Sequence, residues 1–173
     1  MKTKKQEELI NSLLMELDDV SRPLYRDISM YLLELGYNPK KEKSNISFKH
    51  DQHNKQMAKM GIRTNKIQES SPFFALRFSA CRGYSQRFID IVCSYMNKYP
   101  TRVSQCINNG GCHYCAGDAA THLYTYTFSN EEIKSHCGAY AIEIPDITAN
   151  DIAEIKALIK EEHEYLIEHE VGK

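Results

Sequence analysis

Along the first part of the chain, apolar residues recur at helical spacing. Leu9, Ile10, Leu13, Leu14 and Leu17 follow a charged start, which predicts a helix over 4–18. Leu24, Ile28, Tyr31, Leu32 and Leu35 form a second stripe, with Ser21 as the expected N-cap, Pro23 in the first turn and Gly36 as the stop. The period then changes from helical to alternating. Ile46 and Phe48 alternate with polar neighbours over 43–50, and Ala58, Met60 and Ile62 do so over 56–63. Asp51-Gln52-His53-Asn54 supplies turn residues between them, so this stretch predicts a β-hairpin.

A third strand is expected where Phe74, Leu76, Phe78 and Ala80 share one side and Arg77 and Ser79 the other. Phe88, Ile91, Val92, Tyr95, Met96 and Tyr99 then give the clearest helical repeat, closed by Pro100. Residues 101–120 carry no periodicity. Strands are expected again at 121–128, with Tyr124, Tyr126 and Phe128 on one side, and at 138–144, with Tyr140, Ile142 and Ile144. Thr148 with Asp151 resembles a capping box, opening a last helix whose face is Ile152, Ile155, Ile159, His163 and Leu166. The order is ααβββα, a cysteine loop, then ββα. This predicts an α+β fold with a single, mainly antiparallel sheet of about five strands and helices on one face. Residues 1–173 form one expected domain, with a helical pair at 1–37 and a cysteine loop and hairpin at 101–144 as sub-elements.

Composition fits that picture: 42% hydrophobic and 26% charged residues are the proportions of a globular chain. No apolar run reaches the roughly 18–20 residues that span a bilayer, and the charged N-terminus lacks a signal-peptide core, so no membrane partner is expected. The expected location is the cytoplasm, where thiols stay reduced. Charge is uneven although the net is only −1. Residues 40–102 hold 13 Lys and Arg against 4 acids, whereas 103–173 hold 4 Lys against 12 acids. Such asymmetry marks either an anion-binding face or a basic sheet beside an acidic helix.

The 6 cysteines carry the most pointed chemistry. Cys112-x-x-Cys115-x-Gly117 has the form of a thiolate turn, in which glycine tolerates the required left-handed backbone. Cys137-Gly138 partly echoes it, and Cys106 would complete four soft ligands for a tetrahedral structural zinc. His113 and His136 are alternative ligands to Cys106. Four thiolates leave no open position, and no HExxH or deaminase-type arrangement is present, so no catalytic residue is assigned. Cys81 and Cys93 are expected to be small buried side chains.

Two further features concern anions. Lys40, Lys41, Lys43, Lys49, Lys55, Lys59, Arg63 and Lys66 are interleaved with Phe48, His50 and His53, as on a half-solvated basic sheet. Arg77, Arg82, Tyr84, Ser85 and Arg87 cluster where the third strand meets a helix N-terminus, a possible phosphate or carboxylate site. His163 and His169 are six apart, off the i, i+4 spacing of a helical metal pair, and read as a packed residue and a helix end.

The stretch Ala139-Tyr-Ala-Ile-Glu-Ile-Pro-Asp146, the helix Ile152–Tyr165 and the CxxC loop upstream resemble an uncharacterised bacterial family of unknown function. That resemblance implies no activity. The functional expectation is a non-catalytic binding module with structural zinc and a basic face for an anionic ligand or nucleic acid. Behind it stand a thiol-redox or metal-sensing protein using Cys112 and Cys115, and then an enzyme acting on a small anion near Arg77–Arg87.

Overall fold

The computed structural model describes residues 4–64, 70–78, 80–99, 123–127, 133–137 and 140–170, with backbone alone for 123–127, 133–137 and 169–170. Helix α1 (Lys4–Leu14) and helix α2 (Ser21–Glu34) come first, followed by strands β1 (Tyr37–Glu42), β2 (Asn45–His50), β3 (Gln56–Thr64) and β4 (Ser70–Leu76). Helix α3 (Gln86–Lys98), strands β5 (Leu123–Thr127), β6 (Ile133–Cys137) and β7 (Ile142–Ile144), and helix α4 (Ile152–Glu170) complete the order. The fold is α+β. Its main sheet is antiparallel throughout, in the order β1-β2-β3-β4-β7, and β5 pairs with β6 in a separate ribbon.

The register sorts the sheet into two faces. Ile46, Met60, Phe74 and Ile144 lie side by side across four strands, as do Phe48, Ala58, Leu76 and Ile142. All eight are buried, and they share one core cluster with Ile28, Leu32, Ile155 and Ile159 of the helices. The opposite face carries Lys40, Ser47, Lys59, Ala75 and Glu143 in one row. A bulge between Phe48 and Lys49 inserts Met57 as an extra residue, and both Met57 and Ala58 are buried.

Several local expectations change. Strand β1 was not expected, because Tyr-Asn-Pro-Lys-Lys-Glu has no apolar alternation. It is an edge strand, where Pro and Lys are tolerated and discourage further pairing. The cap of α2 is Asp18 and not Ser21: Asp18 Oδ1 accepts the Val20 and Ser21 amides at 2.9 and 2.7 Å, and the Ser21 hydroxyl itself bonds Asp18. Gly36 does end the helix, at φ +87°. The third expected strand begins earlier and ends at Leu76; Phe78 and Ala80 lie beyond it but remain buried. Of expected strand 138–144, β7 covers Ile142–Ile144, while 138 and 139 lie outside the described residues. Of expected strand 121–128, Leu123–Thr127 is β5, which pairs with β6 and not with the main sheet. The Thr148–Asp151 capping box is present, ahead of a short 3-10 turn over Ala149–Asp151. Among the described residues, no helix is long and apolar enough to cross a membrane.

Candidate metal centre

Gly36 delivers the chain from the end of α2 straight into β1, whose first residue, Tyr37, pairs with His50, the last residue of β2. Ile46, Phe48 and His50 alternate along β2, so His50 shares the face that buries Ile46 and Phe48. The turn beyond β2 folds back tightly. The His50 amide donates to the Lys55 carbonyl at 3.2 Å, the Asn54 amide donates to the His50 carbonyl at 3.0 Å, and Asn54 takes φ 53°. That geometry lays the His53 ring on the His50 ring, with centroids 4.3 Å apart and planes 8° from parallel. From the other side, α4 brings His163, next in sequence to the buried Glu162.

The result is a group of three imidazoles, His50, His53 and His163, around one phenol. One ring nitrogen from each histidine lies within 4.8 Å of one from both others. His50 and His53 are buried and His163 is half-buried. Tyr37 is fully buried and sets its ring edge-on to all three, with centroids 5.0, 5.8 and 5.5 Å away. Its hydroxyl meets His163 Nδ1 at 3.1 Å. Burial pushes the Tyr37 phenol well above its ordinary range, with the Glu162 charge adding and Arg77 opposing, so it stays neutral. Burial likewise lowers the His163 pKa, helped by His50, while Glu164 opposes. Both effects favour the uncharged forms of Tyr37 and His163, and the neutral imidazole is the form that ligates metals.

The hydrogen bonds define the imidazole tautomers. The Gln52 amide donates to His50 Nδ1 at 3.3 Å, and the Lys55 amide donates to His53 Nδ1 at 3.1 Å. An Nδ1 that accepts a hydrogen bond has its lone pair occupied, so in the neutral ring the proton sits on Nε2. Deeper in, Glu162 accepts from Arg77 Nε at 2.7 Å and from the Ala80 amide at 2.8 Å. Burial pushes the Glu162 carboxyl above its ordinary range, against the pull of Arg77 and the Ala80 amide.

None of these three histidines was assigned as a ligand from sequence. Two signals were present: His50 continues the Ile46, Phe48 alternation, and His163 lies on the apolar stripe of α4. The expected zinc ligands fall elsewhere. Cys106, Cys112, Cys115 and His113 lie outside the described residues, while Cys137 and His136 belong to β6, where only backbone is described. Cys137 pairs with Leu123, and His136 with Tyr124. Cys81 is buried, donates to the Leu158 carbonyl at 3.3 Å, and has its thiol pKa pushed up by burial. Cys93 is half-buried on α3.

The expected anion-binding residues face carboxylates of the chain's own last turn and helix. Arg77 was expected to point away from the core, yet it is buried on Glu162. The Arg82 amide donates to Glu161 at 3.1 Å, the Ser85 amide to Glu154 at 2.5 Å, and Arg87 Nε to Asp151 at 2.7 Å. Tyr84 packs its ring edge-on to Phe78. The basic face of the sheet borders a separate broad groove of about 1420 Å³, whose floor includes Lys59, Arg63, Phe73 and Glu143 and whose wall includes Tyr95 and Lys98 of α3. Two of its cations are paired at close range, Lys59 with Glu42 at 3.1 Å and Arg63 with Glu143 at 2.6 Å.

Comparisons with protein-family models, with curated proteins and with solved structures find no match to this chain.

Proposed function

We propose that this protein binds a divalent transition-metal ion, with zinc the expected one, through His50, His53 and His163. The observation that carries the reading is the convergence of three largely buried imidazole nitrogens within 4.8 Å. A tetrahedral zinc with Zn–N of about 2.0–2.1 Å needs its nitrogens about 3.3–3.4 Å apart, so turning of the rings that draws the nitrogens together by up to about 1.5 Å closes the site. Three imidazoles are a borderline-soft donor set that suits zinc, copper, nickel or iron. They leave a fourth position for water or a ligand. Three carboxylates lie beside the histidines in sequence, and each has a partner, Glu162 in Arg77, Asp51 in Asn38 and Glu164 in Lys160 at 3.8 Å, which favours metal binding over metal-assisted hydrolysis. The reading is therefore a metal-handling or metal-responsive binding protein.

Calorimetric zinc titration of the full chain tests it. Wild type should bind one equivalent more than His53→Gln or His163→Gln. Zinc at the separate site proposed for Cys106, Cys112, Cys115 and Cys137 would be retained in both variants, so the two sites are distinguishable. Equal stoichiometry and affinity in all three proteins would defeat the histidine reading.

A second reading rests on the groove over the basic sheet face, where Lys59, Arg63, Arg87 and Lys98 outnumber Asp90 and Glu143 and lie among Phe73, Tyr95 and Tyr99. Cations among aromatic rings suit an extended anionic ligand. Retention on an immobilised oligonucleotide should fall with salt and with Lys59→Glu; no retention at low salt would remove this reading.

A further inference from the structure

The two backbone amides on the histidine rings cannot coexist with a bound metal. If Nδ1 ligates, its lone pair goes to the metal and is lost to the amide. If Nε2 ligates, the proton of the neutral ring moves to Nδ1, which then becomes a donor facing another donor. Either way, the bonds from the Gln52 amide to His50 Nδ1 and from the Lys55 amide to His53 Nδ1 must break. His163 differs. Its partner is the Tyr37 hydroxyl, which donates or accepts according to how its proton rotates. A hydroxyl can follow a change of tautomer where a backbone N–H has no acceptor role to take.

Resting on the metal-binding reading above, we propose that metal capture at His50, His53 and His163 releases the Gln52 and Lys55 amides and so loosens the β2–β3 turn, residues 51–55, so that the turn reports whether the site is occupied. His163 and Tyr37 form the fixed half of the site, held between β1 and α4. His50 and His53 form the moving half. Their stacked arrangement does not suit a bound ion: near-parallel rings 4.3 Å apart cannot both aim an in-plane lone pair at one ion between them. Turning the rings to face the ion separates them and withdraws Nδ1 from both amides. The turn then loses two of its tethers and keeps the His50–Lys55 and Asn54–His50 backbone bonds. A partner that recognises the released turn would read metal status from it. Gln52 and Lys55 also flank the ligands closely enough for their amides to be direct reporters.

Amide-resolved NMR of the full chain with and without zinc tests this, together with long-range imidazole nitrogen spectra that give the tautomer of each ring. The expected result is a shift of the His50 and His53 ring nitrogens to the metal-bound pattern. With it, the Gln52 and Lys55 amides should move and exchange with solvent at least tenfold faster, while Ile46 and Met60 in the strands stay fixed. Zinc-shifted His50 and His53 rings with Gln52 and Lys55 amides unchanged would overturn the turn-loosening proposal and leave metal binding standing. Ring nitrogens of all three histidines unmoved at saturating zinc would overturn both.

Discussion

At the residue scale, the buried pair Arg77–Glu162 sets how α4 sits beside the histidines, and it makes a sharp prediction. Both side chains are almost wholly buried, and Nε meets Oε1 at 2.7 Å. Removing one partner of such a pair costs about 3–5 kcal/mol, because the other is left charged in a low-dielectric site. Arg77→Leu should therefore lower unfolding stability by about that amount near neutral pH in chemical denaturation. The pH dependence has a definite sign. Glu162 already has a raised pKa in the folded state, so the fold binds an extra proton above the ordinary carboxylate range and its stability falls as pH rises through that window. Losing Arg77 raises the carboxyl further. The deficit of Arg77→Leu should shrink as pH falls and Glu162 takes up its proton, and grow as pH rises. A deficit independent of pH would mean that lost packing, and not lost charge compensation, is the cause.

Single residues were also where the sequence was least informative. The interleaving of His50 and His53 with lysines reads as a solvated basic strand, because a charge run outweighs a two-residue alternation to the eye. The decisive fact is register: Tyr37 opposes His50, and nothing local to residues 50–53 announces the phenol or His163. Arg77 misled for a related reason. Alternation places it away from Phe74 and Leu76, but the strand ends at Leu76, and Glu162 draws the guanidinium inward.

At the element scale, helix periodicity carried most of what was legible. The stripes of α2, α3 and α4 and the hairpin β2–β3 follow directly from 3.6- and 2-residue repeats, and these elements make most of the core. Strand β1 was invisible because an edge strand does not need an apolar face on both sides of its pleat. The join between α2 and β1 bears on the site. Gly36 has φ +87°, and a Cβ there would stand 3.0 Å from His50 Nε2. Gly36→Ala should thus cost roughly 1–3 kcal/mol from left-handed backbone strain. It should also displace the His50 ring and weaken zinc binding in calorimetry. Stability lost with zinc affinity intact would show that His50 is not held through this contact.

At the scale of the whole molecule, the uneven charge resolves into packing. The acidic C-terminal segment lies against the basic one: Glu162 on Arg77, Glu161 on the Arg82 amide, Glu154 on the Ser85 amide and Asp151 on Arg87. The basic segment lies beside acids through the Arg77 and Arg87 side chains, whereas Arg82 and Ser85 meet theirs through backbone amides. The proposed metal joins the same parts, since its ligands come from the β2–β3 turn and from α4. A ligand bound only by the folded state raises stability by RT ln(1 + [L]/Kd), about 2.7 kcal/mol at a hundredfold excess over Kd. Zinc should therefore raise the thermal midpoint in a concentration-dependent manner. In His53→Gln that part of the rise should vanish; an undiminished rise would place the stabilising metal elsewhere.

The most direct measurement is anomalous diffraction at the zinc edge from zinc-loaded crystals of the full chain. The account predicts a peak about 2.0–2.1 Å from one nitrogen each of His50, His53 and His163, with the two turn rings no longer stacked. A zinc-loaded crystal with no peak there, and with His53 still parallel to His50, would contradict it.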